Sequence, residues 1–472
     1  MPSESLLLND LKYHLPPAID TNCPYLDSCR TLAQMIAPAG GALLAAVYLQ
    51  VHRNVPDPRK RAWYWNLIFK FARMGQISVV TLLFPEWTFA WAMRSYIIAC
   101  RLRPELESAR KRAIDLMRDL DERNEKARLT NRRPIDLPDA RSSTDPTLTR
   151  EKVSLKYEIT QTFFLLMGGL HIYHDSGRPI GPLTPEHAIK LINCGKLMLP
   201  SLETINALSA KLSVGKLLAF ISLITFVTKC IARKIESLAL APLEVMALAH
   251  TFIAMASFWP WWSKPMNIDS PVHVPLQAFP AADHNSINTL RRQRFSGNIS
   301  VWDIIYAYVL GGQDALYDLN TVAYMPTFWS GDLDNVFALP DPARPLPTDS
   351  SDSAYFIGNV AGLGVAIIFG AIHFLAWDNQ LPYSVEHLLW RVGSIVVTGA
   401  PVVIICTWFL TIVPLHFNKV KLMGLMFKCV CVPFATLYMA SRLTLIAIVL
   451  TSTFSPAAGV YVQVSFWKYI GL

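Results

Sequence analysis

The stretch Thr81 to Arg101, TLLFPEWTFAWAMRSYIIACR, is an apolar run long enough to cross a bilayer, yet it carries Glu86 near its start and Arg94 further along. A hydrocarbon core of about 30 Å takes about 20 apolar residues of helix. An ionised side chain near its centre costs on the order of 3 kcal/mol, so such groups face a bundle interior or a wet cavity. Pro85 removes a backbone donor directly before Glu86, which suits a helix start or a kink. Trp87 and Trp91 are four apart, share one helix face and are placed to wall a pocket. Glu86 then has two readings. It is a capping carboxylate in a first turn at the interface, or a functional carboxylate at membrane depth.

Similar runs recur. Segments 31–51, 76–100, 157–173, 217–231, 238–258, 356–377, 395–415 and 425–450 are long and nearly free of charge. The expected fold is all-α: a polytopic transmembrane helical bundle of roughly eight spans with amphipathic peripheral helices. Composition agrees, because only 17% of the 472 residues are charged against about 25% in soluble domains. The net charge of +8 fits cytoplasmic loops and anionic headgroups, so membrane lipid is the expected partner and nucleic acid is not. The expected location is a membrane, endoplasmic reticulum or plasma membrane, and the first apolar helix does the targeting. The chain divides into an N-terminal segment 1–30, membrane helices 31–100, a charged helical and linker loop 101–156, central membrane helices 157–265, an extramembrane insertion 266–354 and C-terminal membrane helices 355–472.

Local signals refine this map. The loop after Arg101 alternates opposite charges three and four apart, as an exposed helix does. Gly168-Gly169 in the third run would let helices pack closely. Leu183-Thr184-Pro185-Glu186 reads as a helix start, with Thr184 as N-cap and Pro185 in the first position. Glu244 and Thr251 in the fifth run are seven apart and lie on one helix face. Trp261, Trp262 and Lys264 after that run have the composition of an interfacial membrane anchor. Ile299 to Leu310 reads as an amphipathic surface helix. Arg442, deep in the last run, requires a carboxylate or several carbonyl oxygens within reach. Cys23 and Cys29 are placed to pair if that end is lumenal. His171, His174 and Asp175 lack a third histidine, and no zinc spacing occurs among the eight cysteines, so no metal is expected.

The order of the segments LQVHRNVPDPRKR, LLFPEWTFAWAMR, TQTFFLLMGGLHIY, LPSLETINALSAK, LAPLEVMALAHTF, WPWWSKPMNIDSPV and YVQVSFWKYIGL resembles a large, mostly uncharacterised family of fungal multi-pass integral membrane proteins. The resemblance runs from about Thr31 to the C-terminus, and its more specific elements are Pro85-Glu86, Leu243-Glu244 and Trp261 to Pro265. Gln161 stands where the family usually has histidine, and Ala207 to Gly215 lacks a usual Asp/Lys-rich run. The resemblance implies the membrane fold and a fungal origin; it implies no reaction.

Familiar membrane chemistries find no motif. The HxxHH spacings of iron hydroxylases, the Asp-rich runs that hold Mg²⁺ and diphosphate, a Gly-rich phosphate loop and a GxSxG elbow are all absent. What remains is carboxylate chemistry. A buried glutamate can keep and donate a proton, and aromatic faces stabilise a carbocation. Glu86 and Glu244 are the candidate catalytic acids, with Trp87, Trp91, Arg94, Thr251 and Arg442 lining one shared pocket for a lipophilic terpenoid or meroterpenoid, without a cofactor. The alternatives are a small-molecule transporter or exporter, in which the same charges are relay groups, and a membrane scaffold or anchor.

Overall fold

The computed structural model describes residues 29–50, 52–59, 62–129, 156–209, 213–280, 314, 322–331, 350–378, 383–412, 420–454 and 460–462. Helices predominate: α1 (Leu32–Gln50), α2 (Trp63–Leu83), α3 (Pro85–Leu129), α4 (Ile159–Leu166), α5 (Pro185–Asn193), α6 (Leu202–Leu208), α7 (Ser213–Ile235), α8 (Pro242–Phe258), α9 (Ser350–Ile372), α10 (Ser384–Ile412) and α11 (Val420–Phe454). A small sheet of β1 (Leu170–Tyr173), β2 (Pro179–Pro182) and β3 (Val272–Pro275) has the order β2-β1-β3, with β1 antiparallel to β2 and parallel to β3.

Among the described residues, α1, α7, α9, α10 and α11 are the helices long and apolar enough to cross a membrane. α2 and α3 pass that test only together, as a pair bent by 106°. Five apolar helices of spanning length fit a multi-pass membrane protein; the expected eight spans come down to five, or six with the bent pair. The third expected span, 157–173, is not one. α4 has only 8 residues, and the chain then turns into β1. The glycine pair causes this. Gly168 takes φ 82°, its N–H bonds Leu165 O at 3.0 Å, and Gly169 N–H bonds Phe164 O at 2.8 Å. That is the double bond of a Schellman stop, so these glycines end a helix rather than pack one against another. The segment Ile299 to Leu310 lies outside the described residues.

Two cores organise the molecule. In one, α8 is the hub: it packs against α1, α3, α7, α9 and α11, and Val245, Met246, Ala247, Ala249, Ile253 and Ala254 are all buried. A helix apolar on every side belongs at the centre of a bundle. In the other, Leu102, Leu106, Ala109 and Ala113 of α3 pack with α4, β1 and α5. Their spacing is a helical apolar stripe, so the charged segment expected as an exposed helix buries one face. α3 joins the cores. Its 45 residues run about 68 Å at about 1.5 Å each, placing Phe89 in the first core and Ala99 to Ala113 in the second. The expected helix start at Thr184 is present, its Oγ1 accepting His187 N–H at 3.4 Å.

Gly168→Ala tests the turn. An alanine Cβ would sit 2.9 Å from Met325 Cβ on a backbone at φ +82°, and the left-handed conformation alone costs about 1–2 kcal/mol. The expected result is a thermal midpoint in detergent lower by several degrees, read by intrinsic fluorescence.

Candidate functional site: a buried ion pair at a broken helix

Pro85 has no N–H, so it cannot continue the ladder of α2, and the chain turns at Phe84 (φ −139°, ψ 60°). In an unbroken helix Leu82 O would accept Glu86 N–H. Here it receives two side chains from other helices: His250 Nε2 of α8 at 2.9 Å and Arg442 Nη2 of α11 at 3.3 Å. Glu86 sits in the first turn of α3, where the helix dipole favours a carboxylate. Its Oε1 accepts the Tyr438 hydroxyl at 2.8 Å, and its Oε2 lies 3.7 Å from Arg442 Nη1. Tyr438 and Arg442, four apart, project from one face of α11. The guanidinium carbon of Arg442 stands 4.0 Å from the Phe369 ring centroid. His250 and His373 flank the same ring at 5.2 and 4.9 Å.

The requirement that Arg442 find a carboxylate or carbonyls is met by Glu86 and Leu82. Glu86 is a first-turn carboxylate, and it is buried. His250 adds a further constraint, because Nδ1 is 2.9 Å from Met246 O while Nε2 faces Leu82 O. Carbonyls only accept, so both bonds form together only when each ring nitrogen carries a proton. Thr251, adjacent on α8, is fully buried, and its hydroxyl has no hydrogen-bond partner among the described residues.

Glu244 belongs to a different cluster. It lies six residues before His250, or about 9 Å along the axis of α8. Its carboxylate takes a two-pronged salt bridge from Arg30, the Nη2–Oε2 arm at 3.0 Å, approaches Arg233 Nε at 4.0 Å and caps its own helix through Ala241 N–H at 2.8 Å. Arg30 also bonds Val460 O at 2.7 Å, and Arg233 bonds Val462 O and Ala239 O, each at 2.6 Å. The two carboxylates expected in one pocket therefore have separate partners.

The aromatic candidates take other places too. Trp91 is fully buried between Trp261 (4.8 Å) and Phe328 (5.4 Å), and its Nε1 donates to Trp329 O at 3.0 Å. Trp87 packs edge-on against Phe328 at 4.9 Å. Arg94 is buried, its Nε on Ala90 O at 3.4 Å, and its stem fills the space that Gly358 leaves open. Of the three residues expected to form a membrane anchor, Trp262 is 70% exposed. Trp261 and Lys264 are buried. Trp261 donates Nε1 to Ser95 Oγ at 2.9 Å. Lys264 lies 4.7 and 5.0 Å from the Trp91 and Trp261 rings, with Nζ donating to Asn54 Oδ1 at 3.1 Å. Tyr438, His250 and Arg30 are the partners that sequence reasoning omitted. Only Tyr438 carried a signal, one turn before Arg442.

Two variants probe these contacts. Arg442→Met strands Glu86, and removing one partner of a buried pair costs about 3–5 kcal/mol. The expected drop in thermal midpoint is partly recovered in Glu86→Gln/Arg442→Met, which removes the orphaned charge. Burial pushes the Lys264 ammonium down to about 7. Above pH 7 the folded state then holds fewer protons at this site than the unfolded chain, so stability rises with pH from about 7 toward 10. Lys264→Met should abolish that rise in detergent-solubilised protein.

No curated protein and no solved structure matches the chain. A family model described as a family of unknown function, DUF8562, matches residues 29–283. That match takes in α1 to α8, the α2–α3 break and both carboxylates, and on its extent the chain belongs to this family.

Proposed function

We propose that the protein is a multi-pass membrane transporter of a small solute, with Glu86, Tyr438, Arg442 and His250 as its charge-handling centre. One observation carries this reading: a helix broken among apolar helices, whose freed carbonyl is held by side chains of two other helices beside an ion pair. Discontinuous helices whose exposed ends meet charges at membrane depth are the way secondary transporters build solute and ion sites. Unwound backbone of this kind is tolerated only where protein or a wet cavity receives its polar groups. The pair is also divisible. Glu86 and Arg442 stand on separate helices and meet at 3.7 Å, so a solute bearing either charge can replace one partner.

The enzymatic reading, in which Glu86 or Glu244 protonates a terpenoid or meroterpenoid, needs a carboxyl with a proton directed at substrate. Glu86 instead accepts the Tyr438 hydroxyl, and Glu244 accepts Arg30. These acceptor roles favour transport.

The test compares sealed vesicles from cells expressing wild-type protein, Glu86→Gln or no protein, by untargeted mass spectrometry of lumenal contents. The expected result is a solute redistributed across the membrane chemically unchanged, at least tenfold less in Glu86→Gln at equal protein level. A solute that is converted rather than moved would return the weight to catalysis.

A further inference from the structure

The two ends of the helical bundle carry different chemistry. At one end Cys29 bridges Val462 and is disulfide-bonded; Cys23 lies outside the described residues. Disulfides persist in oxidising compartments. The same end gathers Arg30, Arg233, Glu244 and the carbonyls of Val460 and Val462. It also holds the start of α10 and the end of α11, where Thr451 bonds Glu386 at 3.0 Å. At the opposite end lie the exit of α1 at His52 to Val55, the exit of α8 at Trp259 to Lys264, and the α3–sheet core that they join. Ser209, just before α7, reaches Met266 O at 2.9 Å on this side, and α9 enters where Gly358 meets Arg94.

The short links between helices differ in charge as well. The links 236–241 and 377–383, at the disulfide end, contain no lysine or arginine. The described residues at the other end include Arg53, Arg59, Lys70 and the arginines and lysines of α3 from Arg101 to Lys126. Short links rich in Lys and Arg stay cytosolic.

The bent pair starts and ends at one face. Lys70 in α2 meets Asp269 at 3.3 Å, the carboxylate that also holds Arg53 at 2.6 Å. From Met74 to Leu83 the chain rises about 15 Å, half of an about 30 Å core. At that depth Glu86 meets Arg442, near the middle of the apolar stretch Cys429–Phe454. α3 then returns to pack Leu102 and Leu106 in the core that contains Val55.

We infer that the chain crosses the bilayer six times, along α1, α7, α8, α9, α10 and α11. Cys29 and Val460–Val462 lie on the oxidising face and the α3–sheet core lies in the cytosol. α2 and the first turns of α3 form a re-entrant hairpin that carries Glu86 to mid-membrane from the cytosolic side. α8 qualifies as a crossing although it has 17 residues: its first turn holds Glu244 at one face and its exit reaches Lys264 at the other. About 26 Å of helix suffices for a membrane of modest thickness.

The inference stands independently of transport, and its test reads no activity. A short glycosylation-acceptor tag is fused after Leu472 or inserted between residues 131 and 149, and each form is expressed in microsomes. The fused tag should acquire a glycan that a glycosidase removes; the inserted tag should not, and neither should the native acceptor Asn298-Ile299-Ser300. The native thiol of Cys194, exposed at the end of α5, supplies a second measurement. In sealed microsomes with the cytosolic face outward, a membrane-impermeant maleimide should label wild-type protein more than Cys194→Ser before detergent is added. A glycan on the insert or on Asn298 overturns the assignment, as does a Cys194 increment that appears only after detergent. If neither tag is modified, the Cys194 increment decides.

Discussion

The carbonyl of Leu82 is the atom around which the bundle is arranged. A backbone acceptor without a partner among apolar helices costs several kcal/mol, and the chain turns at Phe84 before Glu86, whose N–H would be the donor to Leu82 O in an unbroken helix. An arginine in the same surroundings carries its own desolvation cost. Each problem resolves the other: Arg442 reaches Leu82 O and Glu86 together, with His250 Nε2 2.9 Å from the same carbonyl oxygen. For this to work, α2, α3, α8 and α11 must converge within a few ångströms, with Phe369 of α9 beneath the guanidinium. Small residues permit that convergence. A Cβ on Gly362 would come within 2.7 Å of Ala90 Cβ and 3.2 Å of Glu86 O, so α9 lies against α3 only because that position has no side chain.

The second core encloses a polar cluster. Asn54 accepts from Lys264 and donates to Pro326 O and Trp329 O at 3.0 and 3.1 Å; Trp91 shares the Trp329 carbonyl. Shared hydrogen bonds of this kind fix how Asn54, Lys264 and Trp91 meet. The indole faces of Trp91 and Trp261 supply the electrostatic surroundings that a buried ammonium lacks when no carboxylate is near. Residues with the composition of a membrane belt are thus used inside protein.

What could be read from the sequence followed from costs that are local. Apolar runs of bilayer length, a proline beside a glutamate and an arginine that cannot stay unpaired each restrict structure without knowledge of neighbours. Thr184 before Pro185 likewise fixed a helix start. What could not be read depended on partners remote in the chain. Leu170 to Tyr173 is apolar enough for a span, but Gly168 and the pairing with β3, a hundred residues later, make it a strand. Trp261 and Trp262 are adjacent and chemically identical, yet one is wholly buried and the other exposed, because only the first meets Ser95 and Trp91. Glu86 and Glu244 looked alike for the same reason. The cations that distinguish them lie on α11 in one case and before α1 in the other.

Arg30 has a consequence for how the protein is made. Its Nε–Val460 bond closes a loop of 430 residues, and its bond to Glu244 spans 214. During synthesis Arg30 emerges 430 residues before Val460. Until then α1 and α8 can meet, but Arg233 and Arg30 share one carboxylate between two cations, with the Val460 and Val462 oxygens that they also bond not yet made. The staple between the two most distant described segments therefore cannot form until both have been made. A chain that stalls before Val460 is left with an incompletely coordinated arginine pair as the mark of its immaturity.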